Sequence, residues 1–344
     1  MKTKKIVDGN KNELGGLPLT VGAKDINNIP GGKIAVVGKT QEMQEVFQLI
    51  EKVAPTDSNV LILGETGTGK SLIAEIIHSK SQRRYKPMVN INCGAIPITL
   101  QESELFGHAK GAFTGADSDK IGLIEAAHES TIFLDEIGEM SNTTQVSLLH
   151  FIESGKIRRV GETDEVFVNA RIISATNCDI ESAIRQGRFR EDLYYRLNVI
   201  SIHIPPLRNR REDIIPLANH FLSIFSLKLN RAVPSIPESI LERLVEYQWP
   251  GNIRELENAM ERAALLAKDG KVTEIDLPPS IFGTRKNSDK FVIGSELTLS
   301  QVEKEYILYQ LNRCHWNKSL AVKILNIGRN TLWRKLEKYG VEKH

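Results

Sequence analysis

Cysteine is scarce in this 344-residue chain: Cys93, Cys178 and Cys314 stand far apart and no two form a C-x-x-C pair. That usage argues against a disulfide framework and against a structural zinc site, and it fits a reducing cytoplasm. Long apolar runs are also missing, and none reaches the roughly 18 residues of a membrane span. Met1-Lys2-Thr3-Lys4-Lys5 has the charge of a signal peptide's start, but Asp8, Asn10, Lys11 and Asn12 occupy the place of its apolar stretch. No sign of charge dominates either: 45 Lys and Arg against 43 Asp and Glu leave a formal net charge of +2. A basic surface must therefore be local, and the C-terminal end is where one occurs. Internal repeats and low-complexity tracts are absent. What is present is 41% hydrophobic residues, ample for two or three domains with cores of their own.

Residues 1–33 are polar and broken by Pro18, Pro30 and Gly31-Gly32, which predicts a short flexible leader. From 34 to 206 apolar strands alternate with helical patterns. Asn59-Val60-Leu61-Ile62-Leu63, Met88-Val89-Asn90-Ile91, Thr131-Ile132-Phe133-Leu134 and Arg171-Ile172-Ile173-Ser174-Ala175 read as buried strands of a parallel, doubly wound α/β sheet. After Pro205-Pro206 strand signals stop, and Ile214 to Leu227, Pro237 to Tyr247 and Ile253 to Ala267 predict a helical lid over 207–283. A polar linker, 284–295, leads to a small all-α domain over 296–344.

Gly64-Glu65-Thr66-Gly67-Thr68-Gly69-Lys70-Ser71 satisfies every fixed position of G-x-x-x-x-G-K-[ST] between a strand and a helix. Its backbone N–H groups and the helix dipole suit the phosphates of ATP, Lys70 reaches the β- and γ-phosphates, and Ser71 suits Mg²⁺. The strand Thr131–Leu134 ends in Asp135-Glu136, one carboxylate to hold Mg²⁺ through water and one to polarise the attacking water. A P-loop kinase has no need of such a glutamate, so Glu136 favours an ATPase. In Trp249-Pro250-Gly251-Asn252-Ile253-Arg254, Asn252 reads as the N-cap of a helix that projects Arg254, which otherwise pairs with Glu257 on the surface.

At the C-terminal end, Ser300-Gln301-Val302-Glu303 has capping-box form, and helices Lys318 to Leu325 and Arg329 to Tyr339 flank the turn Asn326-Ile327-Gly328. This is a helix-turn-helix pattern with the seam Ala321, Val322, Leu325, Ile327, Leu332 and Leu336. Arg329, Asn330, Thr331, Arg334, Lys335 and Lys338 are expected to face outward, toward DNA. Finally, Gly111-Ala112-Phe113-Thr114-Gly115-Ala116 sets one aromatic and one hydroxyl between glycines, either as a contact tip or as a tight turn whose Phe113 enters the core.

The run Glu102 to Ala116 resembles the signature loop of the bacterial enhancer-binding proteins, AAA+ ATPases that activate sigma-54 RNA polymerase. The resemblance covers nearly everything from Ile34 onward, and Ile327 to Leu336 is similar to Fis-type domains. It implies that Gly111, Ala112, Phe113, Thr114, Gly115 and Ala116 grip sigma-54. It assigns Asn92 to restraining Glu136, Thr176-Asn177 to a sensor, Arg254 to a second sensor that meets ATP in cis, and Arg190 and Arg196 to trans arginine fingers. Outside that resemblance Asn92 and Thr176-Asn177 are strand-end caps, and Arg190 pairs with Glu191 or Asp192. Trans fingers demand a ring, which the resemblance implies is a hexamer or heptamer, and the similarity to Fis-type domains implies that the helix from Ser300 pairs two subunits.

The expected function is sigma-54-dependent activation: enhancer binding, ring assembly, and ATP-driven remodelling of the polymerase from closed to open complex. Alternatives are a DNA-binding repressor or architectural regulator with an oligomerising AAA+ domain, and a P-loop kinase or helicase-like remodeller. Three positions depart from the family's habit: Glu129-Ser130 replace Gly-Gly, His150 replaces an arginine, and Ser71 stands where glutamate is frequent. Family members usually carry an N-terminal receiver or ligand-sensing domain of on the order of 100 residues. The leader is far shorter, so control is expected from a separate regulatory protein, from expression level, or not at all.

Overall fold

The computed structural model describes residues 38–282, 298–314 and 316–339, and the expected leader and linker fall outside the described residues. The chain divides into two compact units, residues 1–231 with 248–261 and residues 232–247 with 262–344. Among the described residues no helix is long and apolar enough to cross a membrane.

The first unit opens with α1 (Gln41–Val53), which buries Met43, Val46, Ile50 and Val53 at helical spacing and leaves Glu42, Glu45 and Lys52 exposed. Strand β1 (Val60–Leu63) runs into the glycine loop and α2 (Lys70–Ser79). Strand β2 (Val89–Asn92) and α3 (Gln101–Phe106) follow, then the two-residue strands β3 (Gly107–His108) and β4 (Lys120–Ile121), which pair antiparallel below the 111–116 loop. Next come α4 (Leu123–Ala126), β5 (Thr131–Asp135), α5 (Asn142–Ser154) and the hairpin of β6 (Lys156–Arg158) with β7 (Glu165–Phe167). Strand β8 (Arg171–Thr176), α6 (Ile180–Arg185), α7 (Glu191–Leu197), β9 (Ile200–His203) and α8 (Ile214–Lys228) complete the run, ahead of α9 (Glu238–Glu246) and α10 (Asn252–Leu266).

Five strands form one parallel sheet in the order β2-β5-β8-β1-β9. The four strands expected from the sequence are all in it, and β9, which the apolar pattern did not single out, closes the far side of β1. The chain leaves β1 for the opposite edge, returns through β5 and β8, and crosses back to β9. The order therefore reverses beside β1, and in such sheets ligands lodge outside the carboxyl ends of the strands at that point.

Alternation across the strands separates two cores. Val60, Ile62, Phe133, Ile173 and Ala175 face Ile50, Ile73 and Ile77 of α1 and α2. Leu61, Ile132, Leu134 and Ile172 face Leu148 of α5 and Leu193 of α7. All six residues of β8 are buried. Its first, Arg171, donates to the carbonyls of Val53 (3.0 Å) and Ala54 (2.7 Å) at the end of α1, where a cation is favourable, although burial pushes its pKa down.

The second unit holds α9 and a three-helix group, α11 (Leu299–Arg313), α12 (Lys318–Leu325) and α13 (Arg329–Lys338). The expected seam is observed: Ala321, Leu332 and Leu336 are buried with Ile307 and Leu311, and Val322, Leu325 and Ile327 pack on them. Asn326 takes the left-handed turn at φ 49°. The cap of α11 is a correction. The Gln301 side chain accepts from the N–H and hydroxyl of Thr298, both at 2.8 Å, so the side-chain bond at this helix start lies two residues before the expected one. Glu303 is thereby released to pair with Lys335 and to accept from the Tyr339 hydroxyl (2.6 Å).

Candidate functional site

The loop 64–71 leaves β1 and turns through left-handed glycines, Gly67 at φ 79° and Gly69 at φ 97°. Both conformations suit glycine because a Cβ would crowd the backbone. At Gly67 a Cβ would also lie 2.4 Å from the Gly251 carbonyl. Lys70 is 8% exposed and donates to the carbonyls of Gly64 (2.9 Å) and Glu65 (3.1 Å). Burial lowers its pKa, while Asp135 and Glu136 oppose that shift. From below, the buried Arg210 donates to the Thr68 carbonyl (3.1 Å), and burial pushes its pKa down to about 10.

Asp135 ends β5 beside Asn92 of β2, and β8 brings Thr176 level with Leu63 of β1. The sheet thus gathers the phosphate loop, the two carboxylates and Thr176-Asn177 on one edge. Asn177 Nδ2 donates to the Thr66 hydroxyl (2.8 Å), and the Thr176 hydroxyl accepts from the Cys178 N–H (3.0 Å). Asn92 takes the capping arrangement, its Oδ1 accepting from the Ala95 N–H at 3.1 Å. Ser71 and Asp135 line one cavity of ≈ 220 Å³ with Glu75, Asn90 and Asn92. Hydroxyl, carboxylate and amide oxygens around one space are the donors that Mg²⁺ accepts. Glu75 and Asn90 carried no signal in the motif reading, because only the fold places them there.

Glu136 is held at φ 55°, ψ 47°, a left-handed conformation that costs a non-glycine residue about 1–3 kcal/mol and clusters at functional sites. Its carboxylate lies against Gly94, where a Cβ would stand 2.5 Å from Oε2.

Asn252 is a second correction. It is not a side-chain cap of α10 but is fully buried at φ 53°, with its carboxamide turned to the phosphate loop. The Gly251 N–H instead donates to the Glu255 carboxylate (2.9 Å). Arg254, two residues on, is exposed and makes no ion pair with Glu257 among the described residues. Its charge bears on Lys70.

Arg190 and Arg196 lie elsewhere. Arg190 precedes α7 and grips Asp192 through two nitrogens (3.0 and 2.6 Å), the local pairing expected outside the resemblance. That guanidinium holds the Asp192 carboxyl below the ordinary carboxylate range. Arg196 pairs with Glu153 at 3.0 Å. Both arginines are exposed, and such pairs are screened by solvent and contribute little to stability.

The 111–116 loop is closed by bonds from Gly111 N–H to Ala116 carbonyl (2.8 Å) and from Ala116 N–H to Phe113 carbonyl (3.1 Å). Gly111 and Gly115 have φ of 82° and 103°. Phe113 is 38% exposed and Thr114 is exposed, so the core reading of Phe113 does not hold. Its ring lies edge-on to His108, 5.0 Å between centroids, and His108 is fixed by the Ser103 hydroxyl (2.7 Å). A neighbouring segment braces the stalk: Ala109 N–H donates to the Val160 carbonyl and Val160 N–H to the Gly107 carbonyl, both at 2.9 Å. Arg159 grips both oxygens of Glu125 (2.9 and 3.1 Å).

At the departures from the family's habit, Glu129 sits at φ 60° with its carboxylate on Lys86, and His150 stands 3.8 Å from Glu165. In the helix-turn-helix, Arg329, Asn330, Arg334 and Lys338 are exposed and Thr331 is half-buried. Lys335 corrects the outward expectation, since its ammonium turns to Glu303 of α11. Trp333, 56% exposed beneath the Lys318 ammonium (3.9 Å), joins the outer face in its place.

Residues 36–203 match the Sigma-54 interaction domain, 208–291 the AAA+ ATPase lid domain, and 298–339 the bacterial regulatory protein, Fis family. The chain is 45% identical to the transcriptional regulatory protein ZraR of Klebsiella oxytoca over 91% of its own length and 71% of that protein. It is 44% identical to the nitrogen fixation protein AnfA of Azotobacter vinelandii, over 89% of this chain and 57% of that one. Among solved structures, NtrX of Brucella abortus in complex with ATP superposes with a TM-score of 0.69 at 35% identity, covering 89% of this chain and 69% of that chain. The same protein in complex with ADP gives 0.68.

Proposed function

This chain belongs to the sigma-54-dependent transcriptional activators, and from that premise we propose that it hydrolyses ATP and uses the cycle to open promoter complexes through Phe113 and Thr114. One observation carries the reading: Lys70, Asp135, Glu136 and Asn177 converge on the carboxyl edge of the sheet, while Phe113 and Thr114 stand exposed on a separately braced stalk. Chemistry and contact are thus divided between two places in one unit.

Lys70 and the loop N–H groups bind the phosphates, Glu136 orients and deprotonates the attacking water, and Asn177 lies within reach of the loop to sense its state. Ser71 and Asp135 are the residues that would hold Mg²⁺, and the ion would supply positive charge to offset that of the phosphates. Arg254 meets ATP in cis. Arg190 and Arg196, exposed and paired among the described residues with Asp192 and Glu153, exchange those partners for the neighbouring subunit's phosphates in a ring. A finger of this kind contributes roughly 10³–10⁵ in rate, about 4–7 kcal/mol. The outer face of α13 reads enhancer DNA.

ATP binding and hydrolysis, measured with and without sigma-54, test the reading. Lys70→Ala abolishes binding, whereas Glu136→Gln binds ATP and fails to hydrolyse it. Mixing Glu136→Gln with Arg190→Ala restores part of the activity, because the two defects fall on different subunits. Equal ATP affinity in Lys70→Ala and wild type would remove the nucleotide assignment, and no rescue at any mixing ratio would remove the trans fingers.

A further inference from the structure

Three segments far apart in sequence meet at the carboxamide of Asn252. Its Oδ1 accepts from the Leu207 N–H (2.8 Å), and its Nδ2 donates to Glu65 Oε2 (3.1 Å) and to the Thr66 carbonyl (3.0 Å). Glu65 is itself gripped by Arg208 through two nitrogens (2.5 and 2.8 Å). The next two residues of α10 continue the contact, with Ile253 and Arg254 donating their N–H groups to the Gly67 carbonyl at 2.9 and 3.3 Å. An amide with every polar atom engaged, fully buried in a left-handed backbone, is costly to move.

The guanidinium of Arg254 leaves this anchored turn with no hydrogen-bond or ion-pair partner among the described residues. We propose that Asn252 is a positioning residue: with Glu65 and Arg208 it locks the start of α10 to the phosphate loop, so that Arg254 is aimed at the γ-phosphate. The inference rests on the nucleotide-site reading above. Glu65 serves as the loop's handle. Its carboxylate, stabilised mainly by Arg208, titrates at about 2 and stays charged throughout the neutral range. The sequence offers no hint of this lock, since Asn252 lies 187 residues from Glu65 and its place in the chain suggests only a cap.

The design separates ATP from ADP. Anchoring the loop alone would alter both affinities equally, whereas aiming Arg254 matters only when a γ-phosphate is present. Asn252→Asp keeps the shape but sets a carboxylate against that of Glu65. Dissociation constants for ADP and for a non-hydrolysable ATP analogue, with Mg²⁺ and the full chain, should therefore diverge. The expected result is that Asn252→Asp weakens the ATP analogue about tenfold and ADP less than about threefold, coupling of the size seen for residues in contact. Adding Glu65→Gln to Asn252→Asp should recover most of the loss by removing the repulsion.

Equal weakening of both nucleotides, or no recovery in the double variant, would reduce the cluster to a fold support and overturn the proposal. A wild-type chain that bound neither nucleotide would fail earlier, at the nucleotide site itself.

Discussion

Gly94 has no side chain where the Glu136 carboxylate takes up the space. A methyl there would stand 2.5 Å from Glu136 Oε2, the free end of a flexible side chain, so Gly94→Ala displaces the carboxylate and leaves the backbone in place. The expected phenotype is ATP affinity near wild type, a melting temperature within about 2 °C, and hydrolysis lower by about 10²-fold, the cost of a catalytic group misplaced by roughly 1 Å. Isothermal titration beside a phosphate-release assay checks it, and unchanged hydrolysis would mean that Glu136 does not act from this position. At this scale the sequence was legible wherever a motif fixes both residue type and neighbour, as for Lys70 and Asp135-Glu136. It was illegible where a partner comes from afar. Asn252 read as a cap because a cap needs only local residues. Lys335 read as an outward cation because it flanks Leu332 and Leu336, whereas its stem lies along the helix side and its charge meets Glu303, 32 residues earlier.

Elements were more legible than their ties. Strands β1, β2, β5 and β8 and helices α12 and α13 follow from apolar runs and spacing, whereas β9 has four residues, largely half-exposed, and takes its place only by pairing with β1. One tie that no pattern marks joins α2 to β5. His78 Nδ1 accepts from the Thr131 hydroxyl and its Nε2–H donates to the Lys86 carbonyl, both at 2.9 Å. The ring thus serves as a neutral imidazole, and burial holds its pKa below the ordinary 6.5. Its stabilising effect is complete above that value and is lost as pH falls toward the folded-state pKa, because the unfolded chain takes the proton more readily. Melting temperatures between about pH 7 and 5 should fall more steeply for wild type than for His78→Gln, and parallel curves would contradict this. In α13, Arg334→Ala should lower the slope of log K against log salt for DNA by about 0.9, one lost phosphate contact, while Lys335→Ala leaves it nearly unchanged. Equal losses would return Lys335 to the DNA face.

For the molecule as a whole, one unit carries both an ATP edge and an exposed tip, and the two are physically separable. Among the described residues the tip loop is braced by Arg159, Val160 and their partners, not by hydrogen bonds to the phosphate loop. Ring assembly is proposed from Arg190 and Arg196 alone, since a site shared between subunits would leave only its own half on a single chain. The most direct test of ATP-driven remodelling through the tip is to measure ATP hydrolysis and open-complex formation at a sigma-54 promoter in parallel for Thr114→Ala and Phe113→Ala. Hydrolysis is expected close to wild type, with open complexes lost. Loss of both activities together, or open complexes formed as in wild type, would contradict remodelling through the tip.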